Sequence, residues 1–397
     1  MRKLILKFLL IALIFKASYT SAQWSQVSSG MGQTDNVLSM YSSSTVTLAG
    51  LNWQRGIFYS TNEGQSWSAS SVTTPKVNRL TEHGTNYYAC TSDGFFKSAN
   101  GSSWYMISLN GIDYYDVVFI NNYMFIGSYF NGVYYSTNEG SSWIQTSLNN
   151  KSVISLAILN NVIIAGTVEQ GIYYTSDMGV TWNNTDIYNK TVNRIITDGT
   201  WLYAGTSDGV YKSSNYGANW IQAGLQGKNA NDLLIYENYI YAGTDYYGVY
   251  CANRQQLIWN TINDGLPTEN LFVKSLAVSN NYFFAGTDRF SVYRRPKSQI
   301  NVENISKEMP SKFSLKQNYP NPFNPITNIE YDVKKSGLVT IKVFDCIGKE
   351  LETLVKENQL PGTYRAIFDG SKYSSGIYFY RIHAGEFSVT KKMVLNK

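Results

Sequence analysis

The 397-residue chain predicts an all-β protein: a seven-bladed β-propeller followed by a small Ig-like antiparallel sandwich. Three observations predict it. Tryptophan recurs at Trp24, Trp67, Trp104, Trp143, Trp182, Trp220 and Trp259, at intervals of 43, 37, 39, 39, 38 and 39 residues. A period near 40 is the signature of blades or solenoid units. Between the tryptophans, alternating β-branched and aromatic runs are bounded by Asp-Gly, Asn-Gly or lone Gly turns, and Gly reaches the positive φ of such turns without steric cost. Finally, no helical periodicity follows residue 22, and composition changes abruptly near residue 313.

Residues 1–22 read as a secretory signal peptide. Arg2, Lys3 and Lys7 precede an apolar run from Phe8 to Phe15, and small residues (Ser18, Ser21, Ala22) stand before Gln23. That run is short of the roughly 20 apolar residues a membrane span needs. No later run reaches this length, so the mature chain is expected to lack a transmembrane segment.

The formal charge of +5 is misleading. Four basic residues belong to the signal, and residues 313–397 hold 12 Lys/Arg against 8 Asp/Glu, which leaves 23–312 at about −3. Nucleic acid is excluded as a partner, because phosphate binding needs clustered Lys and Arg. Cys90, Cys251 and Cys346 have no paired spacing, and a chain with a large core needs no disulfide staples, so all three are expected to be small buried residues. His83 and His383 are the sole histidines, which argues against a Cys–His nucleophile and against His-ligated zinc. With no calcium-loop spacing and no phosphate-binding Gly loop, no metal and no cofactor are implied.

Residues 23–296 carry the repeat. Each unit runs through an inner strand such as Val77–Leu80, Val153–Ile158 or Val192–Ile196, an apolar strand, a Gly turn, a Tyr-rich strand, a second Gly turn and Trp. Four strands per unit at this period suggest a propeller, whose sheet edges are short and protected. Residues 273–293 supply three strands without a following Trp, whereas Trp24 has no strands before it. The strand around Trp24 is therefore expected to complete the seventh blade and close the ring.

Ser60-Thr-Asn-Glu-Gly-Gln-Ser-Trp67, Ser136-Thr-Asn-Glu-Gly-Ser-Ser-Trp143, Thr175-Ser-Asp-Met-Gly-Val-Thr-Trp182, Ser213-Ser-Asn-Tyr-Gly-Ala-Asn-Trp220 and the shortened Ser98-Ala-Asn-Gly-Ser-Ser-Trp104 resemble the Asp-box, or BNR, repeat. Asn replaces the usual Asp in four copies, and either side chain bonds nearby backbone N–H groups in a turn. The resemblance implies a structural box between third and fourth strands, away from the binding face. It implies no activity, since sialidases, endoglucanases, receptors and assembly factors share the repeat.

Catalytic chemistry finds little support, and no catalytic residue is assigned. Arg79 and Arg194 in inner strands and Arg55 and Arg289 in turns do not make up a sialidase inventory. Inverting glycosidases need two carboxylates about 6.5–9.5 Å apart. Asp93, Asp208, Asp245 and Asp288 recur at one turn and read as turn formers; Asp116 and Asp232 lie near inner strands and could face the channel. An extracellular carbohydrate-active enzyme is thus the alternative reading. Binding is the better one. The turns between second and third strands carry Trp53, Tyr129, Phe130, Tyr246 and Tyr247, rings suited to stacking on a glycan or anchoring a protein ligand.

Residues 297–312 are polar and read as a linker. Tyr319-Pro-Asn-Pro-Phe-Asn-Pro325 then forces an extended entry, and strands are expected at 329–332, 339–345, 351–355, 364–368, 376–383 and 387–395. Tyr319–Pro325, Val339–Asp345 with Gly348, Leu360-Pro-Gly-Thr-Tyr364, Ser375–Arg381 and Lys391–Leu395 resemble the type A C-terminal sorting domain of the type IX secretion system, with Cys346 where an aliphatic residue is more usual. The resemblance implies that residues 313–397 engage the type IX machinery and carry the chain to the outer-membrane surface or the extracellular space.

Overall fold

The computed structural model describes residues 23–397 apart from 53, 109–110, 270, 298–301, 307–309 and 360. The expected signal peptide therefore lies outside the described residues. Within them the chain is all-β, and residues 25–296 form seven four-stranded antiparallel sheets. The second sheet is typical: Val77–His83, Asn86–Thr91, Gly94–Ser98 and Tyr105–Met106, each paired with the next.

Six sheets take their strands in chain order, and the seventh does not. Phe272–Val278, Tyr282–Asp288 and Ser291–Pro296 are completed by Ser25–Gln26, with Ser25 opposite Arg294 and Gln26 opposite Tyr293. Trp24 is 2% exposed and packs among Tyr241, Leu266 and Tyr293, while its indole donates to the Ile262 carbonyl at 2.6 Å. The first strands of the sheets contact one another in cyclic order, Val37–Ser42 touching both Val77–His83 and Phe272–Val278.

Close packing between sheets depends on a recurring small residue in the second strand. A Cβ on Gly127, Gly166 or Gly243 would lie 2.8, 2.7 or 2.7 Å from a Cγ1 of Val153, Val192 or Val273 in the following sheet. Interiors packed at crystal density leave no room for that extra carbon. The hydroxyl two positions from Ala in the same strand then secures the next turn: Thr91, Thr167, Thr206 and Thr244 donate to the carbonyls of Gly94, Gly171, Gly209 and Gly248 at 2.7–2.9 Å.

The turns ending at Trp67, Trp143, Trp182 and Trp220 are built by one pattern, which the turn before Trp259 has lost. Gly64 and Gly140 amides donate to Ser60 and Ser136 hydroxyls at 2.9 Å, and Ser66 and Ser142 amides donate to Asn62 and Asn138 Oδ1 at 3.0 and 2.9 Å. Asp177 and Asn215 accept from Thr181 and Asn219 in the same way. These turns bond their own backbone amides, and so hold the third strand to the fourth.

Residues 302–396 contain two further four-stranded sheets, and one hydrophobic cluster, including Ile329, Tyr331, Ile341, Phe368 and Tyr380, draws on both. Alternation explains it: in Ile326–Val333, Thr327, Ile329, Tyr331 and Val333 are buried and their neighbours are not. A strand at Val302–Ser306, inside the segment read as linker, pairs with Gly362–Asp369, Val302 standing opposite Ala366. Cys90 and Cys251 are buried, but Cys346 is exposed, which corrects the expectation for it. It sits in a tight turn whose Asp345 carboxylate accepts the Ile347 and Lys349 amides, and such a turn projects its residues outward.

Candidate functional site

The loops joining second to third strands bond to the crossovers between sheets. Tyr129, Gly132, Gly171, Gly209 and Tyr246 amides donate to the carbonyls of Asp113, Lys151, Lys190, Lys228 and Leu271 at 2.7–3.0 Å. Both sets of loops thus form one face. Trp53 lies outside the described residues. Phe130 and Tyr246 are 71% and 64% exposed and occupy the left-handed region at φ 66° and 68°, which bulky residues seldom adopt.

Around Phe130 the rings form a continuous stack. Phe130 meets Tyr129 edge-on at 4.3 Å, Tyr129 stacks on Tyr115 at 5.7 Å, and Lys76 lies over Tyr115 while donating to its hydroxyl at 2.9 Å. Around Tyr246, Phe272 lies 4.4 Å away, Lys274 sits over Phe272, and the Lys228 ammonium lies 3.5 Å from the Tyr247 ring centre. The two groups belong to the third and sixth sheets, so Tyr129 and Phe130 meet one another, as do Tyr246 and its neighbours.

A second constellation lies on the first strands. At the position after a register shift near the start of each first strand stand Ser39, Arg79, Asp116, Ser155, Arg194, Asp232 and Ser275. The four charged members come together. Arg194 lies 3.0 Å from Asp116 and 3.5 Å from Asp232, and Arg79 lies 3.5 Å from Asp116 and 3.8 Å from Asp232. Ser39, Asp116, Ser155 and Asp232 also accept backbone amides of the next sheet, from Leu80, Leu156, Ile195 and Leu276, at 2.8–2.9 Å. Burial pushes the Arg194 guanidinium below its ordinary range, aided by Arg79 and opposed by both aspartates. Burial likewise pushes the Cys90 thiol well up, with Asp116 adding to it, so this thiol is no nucleophile.

This arrangement bears on hydrolysis. Asp116 and Asp232 are bound to guanidiniums and amides, whereas a general acid–base pair needs carboxyls free to exchange protons with a substrate. The turn aspartates hold structure: Asp208 is held below the usual carboxylate range by Lys190 and by the Gly227 amide. Burial would raise Asp245, but Lys274, Asn231 and Asn229 together carry it below that range. Sequence reasoning named Arg79, Arg194, Asp116 and Asp232 singly; their meeting required the ring, though the shared Asn-Arg of 78–79 and 193–194 was a visible signal. Among the described residues no group of three His, Cys, Asp or Glu side chains is placed to hold a metal, and no helix is long and apolar enough to cross a membrane.

Residues 317–396 match the family described as secretion system C-terminal sorting domain. This segment is a sorting domain. The tail implies export by the type IX system to the cell surface or extracellular space, and interaction of the sorting domain with that machinery. No curated protein is similar in sequence to this chain. Among solved structures the chain resembles PorZ, an essential bacterial surface component of the type IX secretion system of Porphyromonas gingivalis, at TM-score 0.54 and 13% identity over 91% of this chain and 59% of PorZ. It also resembles the extracellular domain of a hybrid two-component system from B. thetaiotaomicron (TM-score 0.57, 10% identity, 95% and 60% coverage) and YCF48 bound to D1 peptide (0.53, 12%, 70% and 96%). At such identities the likeness is one of fold, β-propeller-like. The chain spans about three fifths of the length of PorZ and of the receptor domain.

Proposed function

We propose that residues 23–296 form a seven-bladed Asp-box propeller acting outside the cell as a binding, adhesion or scaffold module, joined through 297–312 to a sorting domain at 313–397 with an Ig-like sandwich fold. Its ligand, a glycan or protein, lies on the crossover face. One observation carries this reading: Phe130 and Tyr246, exposed at 71% and 64%, stand at the left-handed loop position that Gln54, Glu169 and Arg289 fill in the corresponding turns of other sheets. The turn sets the backbone, and a large ring left in water where other sheets carry Gln, Glu or Arg presents the surface that stacking or anchoring uses. The Arg–Asp network supports the same reading, since Asp116 and Asp232 face guanidiniums and accept backbone amides from the next sheet.

The test is a binding screen of the mature chain against host and microbial polysaccharides and surface proteins. A variant carrying Ala at Trp53, Tyr129, Phe130, Tyr246 and Tyr247 is expected to lose binding while retaining its thermal midpoint within a few degrees. Undiminished binding by that variant would overturn the assignment of the face.

A further inference from the structure

The aromatic face is duplicated. Asn78-Arg79, Asp93-Gly94, Asp116 and Phe130 in the second and third sheets have counterparts in Asn193-Arg194, Asp208-Gly209, Asp232 and Tyr246 in the fifth and sixth, each 115 or 116 residues later. The bonds repeat as well as the residues. Asn78 donates to the Tyr114 carbonyl at 2.7 Å and Asn193 to the Ala230 carbonyl at 2.9 Å, while Asp93 accepts the Gly111 amide and Asp208 the Gly227 amide. On the axis the run Ser39, Arg79, Asp116, Ser155, Arg194, Asp232, Ser275 repeats every three sheets, so the charge network itself is a pseudo-twofold figure.

We infer that the face carries two related aromatic subsites, centred on the corresponding residues Phe130 and Tyr246 and flanked by Tyr129 and Tyr247, and that they take two stretches of one repeating neutral polysaccharide. This rests on the reading of the face given above. Charge argues for a neutral ligand. Of the cations on these loops, Lys274 is paired with Asp245 and, one sheet away, Lys190 with Asp208, both at 2.7 Å, while Lys76 donates to the Tyr115 hydroxyl and Lys228 lies over the Tyr247 ring. The exposed Phe130 and Tyr246 rings themselves carry no charge, and an uncharged ring face is the chemistry that stacks on a sugar ring. A polymer with one repeated unit is the ligand that two subsites built on the same ring position fit, and simultaneous engagement multiplies affinity without new contacts.

The experiment uses the full mature chain with Phe130→Asn, Tyr246→Asn and the double variant; Asn accepts left-handed backbone, so the fold is kept. Affinity electrophoresis in hydroxyethyl cellulose, xylan, galactomannan or dextran identifies the polymer, and calorimetry follows with its hexasaccharide. The inference expects two hexasaccharides per wild-type chain and one per single variant with unchanged affinity. The double variant should take none, and each single variant should bind the polymer at least about tenfold more weakly. One hexasaccharide per wild-type chain, or a single substitution that removes all binding, overturns the two-subsite inference while leaving the face intact. Wild-type binding by the double variant overturns the reading of the face itself. Retention by none of the four polymers overturns the neutral-polysaccharide assignment.

Discussion

Ser25 and Arg294 stand opposite each other in an antiparallel pair although 269 residues separate them in the chain. The N-terminal strand thus finishes the sheet that the C-terminal part of the repeat begins, and Trp24 seats it. Such closure covers the edge of Ser291–Pro296 with a two-residue strand, so the seventh sheet ends on an edge as short as most of the others.

Trp24→Ala should destabilise the repeat domain by about 3–5 kcal/mol, since it removes a large buried side chain and its bond to the Ile262 carbonyl. Deleting 23–30 should do at least as much. Both are measured by denaturant unfolding; an unchanged midpoint would show that the strand is not part of the closure.

Asp116→Asn removes the charge that Arg79 and Arg194 both face, in a side chain only 3% exposed. Breaking a buried pair from one side leaves the partner uncompensated, and about 3 kcal/mol of stability should be lost. Urea titration checks this, and the Asp116→Asn, Arg194→Gln double variant should recover part of the loss.

Gly166→Ala should cost about 1–3 kcal/mol, because the new methyl would meet Val192 Cγ1 at 2.7 Å. Adding Val192→Ala should make the combined loss smaller than the sum of the single losses, though not abolish it, since the Val192 carbonyl oxygen lies 3.0 Å from the same position. A double-mutant cycle by chemical denaturation reads the coupling; strict additivity would refute the contact.

Asp177 is the aspartate in a turn otherwise built on Asn. The Thr175 and Thr181 hydroxyls and the Thr181 amide hold its carboxyl down to about 2 from 3.8. A depressed carboxylate stabilises the fold above its unfolded-state pKa and loses that contribution as pH falls through its folded value, here between about 4 and 2. Asp177→Asn should flatten the acid limb of stability in this window. NMR titration of the carboxyl checks it; a midpoint near 3.8 would contradict the bonding.

Much of this architecture was legible in the chain. The Trp spacing gave the sheets, and the orphan position of Trp24 gave the pairing with Ser291–Pro296. The central network was not, because Arg79 and Asp232 lie far apart in sequence and meet only once the first strands are brought into a ring. Val302–Ser306 escaped notice because it is polar, without alternation, and pairs on one side only. Cys346 was misjudged because composition says that cysteines are buried on average, whereas the Asp345 turn decides this one. The rings at 129–130 and 246–247 were visible in the chain, but the left-handed backbone of Phe130 and Tyr246 was not.

The most direct test compares backbone hydrogen exchange of the mature chain with and without the polysaccharide that retains it in the gel. The account predicts slowed exchange in 128–132 and 244–248 and no change in the first-strand segments around Arg79, Asp116, Arg194 and Asp232. Protection confined to those inner segments, with the aromatic turns unaffected, would contradict it.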